Sequence, residues 1–253
     1  MCFDVDSSPP IPVLRGAAVS HDELVLEARD GNRFAAFAAT PDEPTGIGIA
    51  ILPDVRGLYR FYEELALRFA ERGYTAIAFD YFGRTAGVAK RDDDWGYMEH
   101  VQQVSGAGLQ ADVAAVVAKL RETCSVVFTV GFCFGGRNAW LAAAWDLDLA
   151  GAIGFYGRPA AGRPEDTPGP IEQAGELRAP ILALMGGADA GIPIEDVRAF
   201  ERALEEAGVE HEVVVYDGAP HSFFDRKQEE FAEASEDAWK RVLDFIRRNA
   251  RPR

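Results

Sequence analysis

The sequence predicts an α/β fold: a single, mostly parallel sheet of about eight strands with helices on both faces. From residue 46 onward, short apolar runs alternate with longer stretches in which apolar residues recur at helical spacing. Before that point, two alternating runs flank the turn signal Asp30-Gly31-Asn32 and indicate an antiparallel hairpin. Strands that alternate with helices are joined by crossovers, which make neighbouring strands parallel.

Each element has its own local signal. Continuous apolar runs such as IGIAIL and SVVFTV are typical of strands buried on both faces. In YRFYEELALRFAER the apolar residues fall on one helical face, and Gly73 ends the helix. Residues 83–104, rich in Gly, Asp and Arg, form a long excursion. The predicted strands cover residues 23–28, 33–39, 47–52, 75–79, 125–130, 149–155, 181–185 and 212–216, and the predicted helices cover 59–72, 109–120, 136–145, 194–206 and 228–248.

The chain is expected to contain one domain, residues 21–253, preceded by a loose N-terminal arm, residues 1–20. In the arm, Pro9, Pro10 and Pro12 interrupt any periodic pattern. No repeat, linker or change of composition follows residue 20. The sequence does not decide between a monomer and a small homo-oligomer.

The net charge of −15 over 253 residues argues against nucleic acid or an anionic membrane surface as a partner. The acidic residues of the chain, Asp92–Asp94 among them, are expected to coat the surface of the protein. No apolar run is long enough for a transmembrane helix, and the first residues lack a signal-peptide pattern, so we expect a cytoplasmic protein. Cys2, Cys124 and Cys133 are irregularly spaced and are expected to be reduced thiols.

The most informative stretch is the motif Gly-Phe-Cys-Phe-Gly-Gly at 131–136, which lies between a buried strand and a helix. This is the Gly-x-nucleophile-x-Gly elbow with cysteine as the nucleophile. The turn is so sharp that residues two positions from its centre must be small, and Gly131 and Gly135 meet that need. The helix N-terminus favours a thiolate at Cys133. The alternative, a small buried hydrophobe, fits Cys124 better.

A nucleophile needs a base and a group that orients the base. In this elbow fold the acid and the histidine follow the nucleophile in that order, each after a strand. Of the four histidines, His221 alone follows the last strand, in a tight loop with Gly218 and Pro220. The preceding strand ends in Gly-Gly-Ala-Asp, so Asp189 is the candidate acid, with a turn aspartate as the alternative. The predicted catalytic residues are therefore Cys133, Asp189 and His221.

The predicted oxyanion hole uses two backbone N–H groups. One belongs to Phe134, the residue after the nucleophile, and the other to Val55 in the loop after the third strand. No histidine or cysteine cluster has metal-ligand spacing, and no phosphate-binding loop is present, so we expect no metal and no cofactor.

With these signatures the chain resembles the dienelactone hydrolase family, the carboxymethylenebutenolidases. The resemblance covers roughly residues 20–248 and rests on the motifs at 131–136, 186–189 and 218–224. It implies an α/β-hydrolase fold and hydrolysis of an enol-lactone that carries a conjugated carboxylate.

The resemblance also implies residues that tune the thiol or bind substrate. In the family a carboxylate after the third strand holds the resting cysteine, and Asp54 stands there in place of the usual glutamate. An arginine after the fourth strand binds the substrate carboxylate, and Arg84 lies in the matching region. The family's second arginine follows the histidine; the equivalent spacing gives Asp225, with Arg226 next to it. Further candidates to line the pocket, each with plain packing as the alternative, are Tyr81, Trp95 and Tyr156.

Three functions remain open from the sequence. The first is a dienelactone-type hydrolase that acts on a carboxylated lactone. The second is a broader hydrolase of small esters or thioesters, favoured by Asp54 and Asp225, which depart from the family pattern. The third is a non-catalytic scaffold with a redox-sensing or binding role. Residues 157–180, rich in Gly and Pro, either cover the pocket as a lid or only connect two elements.

Overall fold

The structure is a computed structural model that describes residues 3–4, 6–91 and 95–250. Cys2 and the acidic loop Asp92–Asp94 lie outside the described residues. None of the described helices is both long enough and apolar enough to cross a bilayer. The strands are β1 (Val19–Glu27), β2 (Arg33–Pro41), β3 (Ile47–Leu52), β4 (Thr75–Phe79), β5 (Val126–Phe132), β6 (Gly151–Phe155), β7 (Ile181–Gly186) and β8 (His211–Tyr216). The α-helices are α1 (Arg60–Ala70), α2 (Gly83–Ala86), α3 (Tyr97–Val101), α4 (Gly106–Leu120), α5 (Phe134–Leu141), α6 (Ile194–Ala207) and α7 (Ala232–Asn249).

The strands form one sheet in the order β1-β2-β4-β3-β5-β6-β7-β8. β2 runs antiparallel to both β1 and β4, and all other neighbours are parallel. The predicted single, mostly parallel sheet with an antiparallel pair first is therefore confirmed. The strand order reverses between β3 and β5, and ligands of such sheets bind at the carboxyl ends of strands beside a reversal. This topology places the loop after β3 next to the elbow after β5.

The central strands are covered on both faces. Every residue of β4, β5, β6 and β7 is buried, although successive side chains point to opposite faces. On β6, a side chain at Gly151 would collide with Phe245 of α7, and one at Gly154 would collide with Trp140 of α5. Because these two glycines are an odd number of residues apart, α5 and α7 lie on opposite faces of the sheet.

The predicted elements are present, with shifted ends. The third predicted helix, α5, begins at Phe134 rather than at Gly136. Glycines weaken a helix in isolation, but here close packing around the elbow requires them inside it. α7 begins at Ala232, after a 3₁₀ turn over Glu229–Phe231. The excursion at 83–104 includes the short helices α2 and α3.

The described residues of the N-terminal arm are packed against the domain, whereas the sequence predicted a loose segment. The Phe3 ring stacks on Phe61 with centroids 3.9 Å apart, and Ile11 is fully buried. The hydroxyl of Ser7 donates to the buried carboxylate of Asp225 at 2.6 Å. The prolines prevent periodic structure in the arm but leave its apolar side chains able to join the core. That core extends as one cluster from the arm to α7.

Candidate active site

Cys133 occupies a strained turn between β5 and α5. Its backbone has φ 54° and ψ −112°, a conformation that L-residues rarely adopt. Its N–H donates to the Phe155 carbonyl at 2.9 Å, which secures the turn to β6. A side chain at Gly131 would collide with the Gly135 carbonyl, and one at Gly135 would collide with the Leu52 carbonyl. The glycines are therefore needed because the chain passes too close for any Cβ.

Asp189 and His221 form a close pair at the ends of two neighbouring strands. Nδ1 of His221 lies 2.6 Å from Oδ2 of Asp189. The other oxygen, Oδ1, accepts the N–H of Gly191 at 2.8 Å. Because an ionised carboxylate only accepts, we assign a proton to Nδ1, which leaves a lone pair on Nε2 in the neutral ring. Asp189 is thus placed to orient the imidazole.

Cys133 and His221 line two adjoining cavities, the larger of about 890 Å³ and the smaller of about 300 Å³. Val55 and Gly191 also line both cavities. The larger cavity extends toward the N-terminal arm, and its charged lining residues other than the Asp189–His221 pair are Asp4, Asp6 and Arg56. The smaller cavity extends toward α5 and the segment after β6, and its other charged lining residues are Arg137, Arg158 and Arg163.

The two predicted oxyanion donors flank Cys133. Phe134 is the first residue of α5, where an N–H has no acceptor within the helix, and it lines the smaller cavity. Val55 lines both cavities in the loop after β3. Both residues therefore border a cavity that Cys133 also lines.

Asp54 binds its own loop rather than the thiol. It is fully buried, and its carboxylate accepts the N–H of Arg56 at 2.8 Å and the hydroxyl of Tyr59 at 2.8 Å. The Arg56 guanidinium lies 3.3 Å away. Burial disfavours the Arg56 cation, but the charge and hydrogen bond of Asp54, together with Tyr59 and Tyr62, outweigh it and raise the pKa of Arg56. None of these contacts is with Cys133, which the family's longer glutamate holds; the shorter Asp54 side chain instead fixes Arg56 at the larger cavity.

Tyr81 and Trp95 support the loop after β3 from behind. The Tyr81 hydroxyl donates to the Pro53 carbonyl at 2.7 Å, and its ring lies edge-on to Phe134 at 5.1 Å. Burial, then the charges of Asp54, Asp80 and Cys133, raise the pKa of Tyr81 well above its ordinary value. The indole N–H of Trp95 donates to the Arg56 carbonyl at 3.1 Å. Neither side chain is among the lining residues of the two cavities, so both are placed to position the loop rather than to touch substrate.

Arg84 is held away from both cavities. Its guanidinium donates to Asp112 at 2.5 Å and to Asp30 at 2.6 Å, which joins α2 to α4 and to the turn between β1 and β2. It lines neither cavity at Cys133. This placement corrects the interpretation of Arg84 as the residue that binds a substrate carboxylate, because two carboxylates of the chain already occupy it.

Arg226 is likewise engaged elsewhere. Its side chain donates to the carbonyls of Pro9 and Ile11 at 3.1 and 3.4 Å. Its backbone N–H donates to the Ser8 carbonyl at 3.0 Å. Arg226 therefore fastens the arm, and its expected contact with substrate is also corrected.

Tyr156 does line the smaller cavity, with its ring 4.9 Å from that of His221. Sequence reasoning missed four arginines that line a cavity: Arg56, Arg137, Arg158 and Arg163. One signal was available, because Arg137 is a charged residue inside the otherwise uncharged helix FGGRNAWL, four positions after Cys133. Within the described residues, no group of three or more histidine, cysteine or acidic side chains is arranged to hold a metal ion.

Comparisons with known proteins show the family to which this chain is similar. A family model described as "Dienelactone hydrolase family" matches residues 34–250. A "Putative carboxymethylenebutenolidase" of Yersinia pestis is 31% identical over 225 residues, covering 85% of this chain and 84% of the relative. One of the same name from Methylorubrum extorquens is 31% identical over 236 residues, covering 89% and 80%. The crystal structure of a "Putative Dienelactone Hydrolase" from Klebsiella pneumoniae has a TM-score of 0.78 at 30% identity, covering 90% of this chain and 98% of that one.

The sheet order and the elbow define an α/β hydrolase. Within that class, the chain belongs to the dienelactone hydrolase family. It is accordingly a carboxylic ester hydrolase.

Proposed function

We propose that this protein hydrolyses a small ester or enol-lactone with a Cys133–His221–Asp189 triad, through a thioester intermediate. The observation that carries the proposal is the 2.6 Å contact between His221 and Asp189, in a pair that lines the same cavities as the strained Cys133. A base with its orienting acid beside an elbow nucleophile is the arrangement that acyl transfer requires. The reduced thiol that the mechanism needs fits the expected cytoplasmic location.

The first half-reaction acylates the thiol. His221 takes the Cys133 proton on Nε2, and the thiolate attacks the substrate carbonyl, so that a C–S bond forms and the carbonyl electrons move to oxygen. The N–H groups of Phe134 and Val55 stabilise that oxyanion, and such a donor contributes about 10²–10³ in rate. When the tetrahedral intermediate collapses, the C–O bond breaks, and the enol oxygen leaves with the proton from His221.

The second half-reaction releases the acid. A water molecule gives a proton to His221 and attacks the thioester carbonyl, and the same N–H groups stabilise the second oxyanion. Collapse breaks the C–S bond and yields a carboxylic acid. The Cys133 thiolate then regains its proton from His221, and Asp189 keeps the imidazole oriented throughout.

A direct test combines activity with detection of the acyl-enzyme. Cys133→Ala should abolish turnover of every ester that the wild type hydrolyses. With 4-nitrophenyl acetate, His221→Ala should accumulate a protein heavier by one acetyl group, assigned to Cys133 by peptide mass spectrometry. Full activity of Cys133→Ala would refute the triad. A wild type that hydrolyses no ester in a broad panel would favour the non-catalytic scaffold.

A second candidate, a hydrolase of broader small esters or thioesters, is favoured by one specific observation. Arg84 and Arg226, at the positions that the resemblance assigns to carboxylate binding, are bound within the chain. Comparison of kcat/KM for a dienelactone with that for a neutral aryl ester separates the two candidates. A clear preference for the neutral ester would favour the broader hydrolase.

A further inference from the structure

Building on the proposed function, we propose that the smaller cavity is an anion subsite. In this subsite Arg158 and Arg163 bind a carboxylate of the substrate beside the buried cation of Arg137. The subsite is lined by α5 and the segment after β6, not by the arm, and does not use Arg84 or Arg226. An anionic substrate would therefore lie with its carboxylate toward α5 and its uncharged part toward the larger cavity.

The charges around the two cavities are different. Arg137, Arg158 and Arg163 line the smaller cavity, and no aspartate or glutamate of the described residues is among its lining. The larger cavity is lined by Asp4 and Asp6, two carboxylates that share the single cation of Lys227, and its one arginine, Arg56, is paired with Asp54. A carboxylate is therefore attracted to the smaller cavity and repelled from the larger one.

Arg137 is a buried cation without a counter-ion. Only 2% of it is exposed, and no carboxylate of the described residues forms a salt bridge with it. Its terminal nitrogens donate to the carbonyls of Ala160, Thr167 and Pro168 at 2.6, 3.0 and 3.1 Å. Its Nε is buried and has no hydrogen-bond partner, next to Gly162, which also lines the cavity. A buried charge costs free energy unless it is paired, so a nearby anion would stabilise this site.

The pKa of Arg137 agrees with this account. Burial above all, together with the positive charge of Arg158, lowers the pKa of Arg137 to about 10, against a partial rise from Glu172. An anion bound between the guanidinium groups of Arg137 and Arg158 would offset both the burial of Arg137 and the repulsion between the two cations.

Arg158 and Arg163 have donors available for such an anion. Arg158 donates from Nη2 to the Gly191 carbonyl at 2.6 Å, which holds it beside the Asp189 loop. Arg163 pairs at 3.2 Å with Glu165, whose side chain is 75% exposed and can give way to a ligand. Each guanidinium has five N–H donors arranged in a fork that matches a carboxylate.

The first experiment measures the subsite without requiring ester hydrolysis. Iodoacetate and iodoacetamide alkylate a thiolate by the same displacement of iodide and differ mainly in charge. We would measure both rate constants at Cys133 by peptide mass spectrometry and divide their ratio by the ratio for free glutathione. The wild type should favour iodoacetate. Arg158→Gln and Arg163→Gln should each lower the normalised ratio about tenfold, the loss of one charge-assisted contact.

The matched control is Arg178→Gln. Arg178 is 68% exposed and pairs only weakly with Asp146 at 3.6 Å, outside both cavities. Its normalised ratio should equal that of the wild type. An unchanged ratio in both Arg158→Gln and Arg163→Gln, or the same fall in Arg178→Gln, would overturn the anion subsite.

The second experiment uses ester turnover. A 4-nitrophenyl ester of glutaric acid that retains one free carboxylate is compared with the uncharged 4-nitrophenyl valerate. The two cavity variants should raise KM for the charged ester relative to the uncharged one by about tenfold. If neither ester is hydrolysed but the alkylation ratio responds as expected, the proposed function fails and the subsite stands. If both esters are hydrolysed without discrimination and the alkylation ratio does not respond, the anion subsite fails and the proposed function stands.

Discussion

At the scale of single residues, backbone strain is found around Cys133, the proposed nucleophile. Cys133, Tyr156 and Ser222 are non-glycine residues with positive φ, at 54°, 37° and 62°. Cys133 and Tyr156 follow the central strands β5 and β6, and Ser222 comes directly after His221. Each such conformation costs about 1–3 kcal/mol, which the surrounding packing must offset. The fold therefore holds three residues at the site in conformations that an isolated chain would avoid.

The role of Asp189 is tested by Asp189→Asn. The amide keeps the size of the side chain but removes the charge that favours Nδ1–H on His221, so the imidazole loses its preferred tautomer. We expect kcat to fall on the order of 10²–10⁴-fold with little change in melting temperature. Ester kinetics and thermal unfolding measure the two effects. A variant that kept wild-type kcat would remove Asp189 from the triad.

At the scale of elements, the N-terminal arm and the loop after His221 hold each other in place. Asp225 accepts the Ser7 hydroxyl at 2.6 Å and the Ser8 N–H at 3.4 Å. Lys227 pairs with Asp4 at 3.2 Å and also with Asp6. The arm thereby closes one side of the larger cavity, where Phe3, Asp4 and Asp6 are lining residues. An aspartate at position 225 thus has a structural use that an arginine could not serve.

The arm contact predicts the effect of Asp225→Asn. Loss of the buried charge should weaken its two contacts with the arm and destabilise the protein by about 1–2 kcal/mol, which lowers Tm by about 2–8 °C. The arm should also be cut faster in limited proteolysis. Ser7→Ala, which removes only one of the two donors, should give a smaller change in the same direction. An arm that is cut no faster in either variant would contradict this role.

The C-terminal helix is joined to the last strand by charges whose effect depends on pH. Arg241 lies 2.6 Å from Asp237 on its own helix and 2.6 Å from Glu212 on β8, and Arg248 lies 2.7 Å from Glu212. Burial favours the neutral carboxyls, but Arg248 and Arg241 together outweigh it for Glu212. For Asp237, Arg241 outweighs it together with the Tyr216 hydroxyl and Lys240. The pKa of each carboxyl is therefore lowered from its ordinary value.

A group with a lowered pKa in the folded state stabilises the protein above its unfolded pKa, and this stabilisation is lost as the pH falls through the folded pKa. Arg241→Gln should therefore cost about 0.5–1 kcal/mol near neutral pH, since the pairs are partly exposed. The difference in Tm from the wild type should shrink below about pH 4. Thermal unfolding across this range is the measurement, and a constant difference would show that the charges do not act.

At the scale of the whole molecule, the net charge of −15 opposes the approach of an anion. The arginines of the smaller cavity act only over short distances, whereas the net charge acts over a Debye length. The acidic surface and the cationic cavity therefore have opposite effects on a carboxylated ester, and salt separates them.

Raising the ionic strength from about 0.01 M to 0.1 M shortens the Debye length from about 30 Å to about 10 Å. We expect kcat/KM for a carboxylated ester to rise about two- to fivefold, because long-range repulsion is screened while contacts inside the cavity are screened much less. An uncharged ester serves as the control and should show no rise. A strong fall with salt for the carboxylated ester would mean that the local arginines dominate the field.

Much of the fold could be predicted because its signals are local. Apolar runs and helical spacing identified the strands and helices, and Asp30-Gly31-Asn32 identified the first hairpin. The elbow was also readable, since the close approach of Gly131 and Gly135 to neighbouring backbone leaves a sequence pattern. The positions of Asp189 and His221 followed from the order of strands, because each lies just after a strand at the same edge of the sheet.

The sequence by itself therefore determined the fold class, the elbow and the three candidate triad residues. The tertiary structure alone decided the partners of the charged side chains. Arg84 donates hydrogen bonds to Asp30 and Asp112, which are 54 and 28 positions away along the chain. The three arginines of the smaller cavity come from α5 and from the segment after β6. A guanidinium at the end of a flexible side chain leaves no periodic or spacing signal, so its partner is set only when distant parts of the chain pack together.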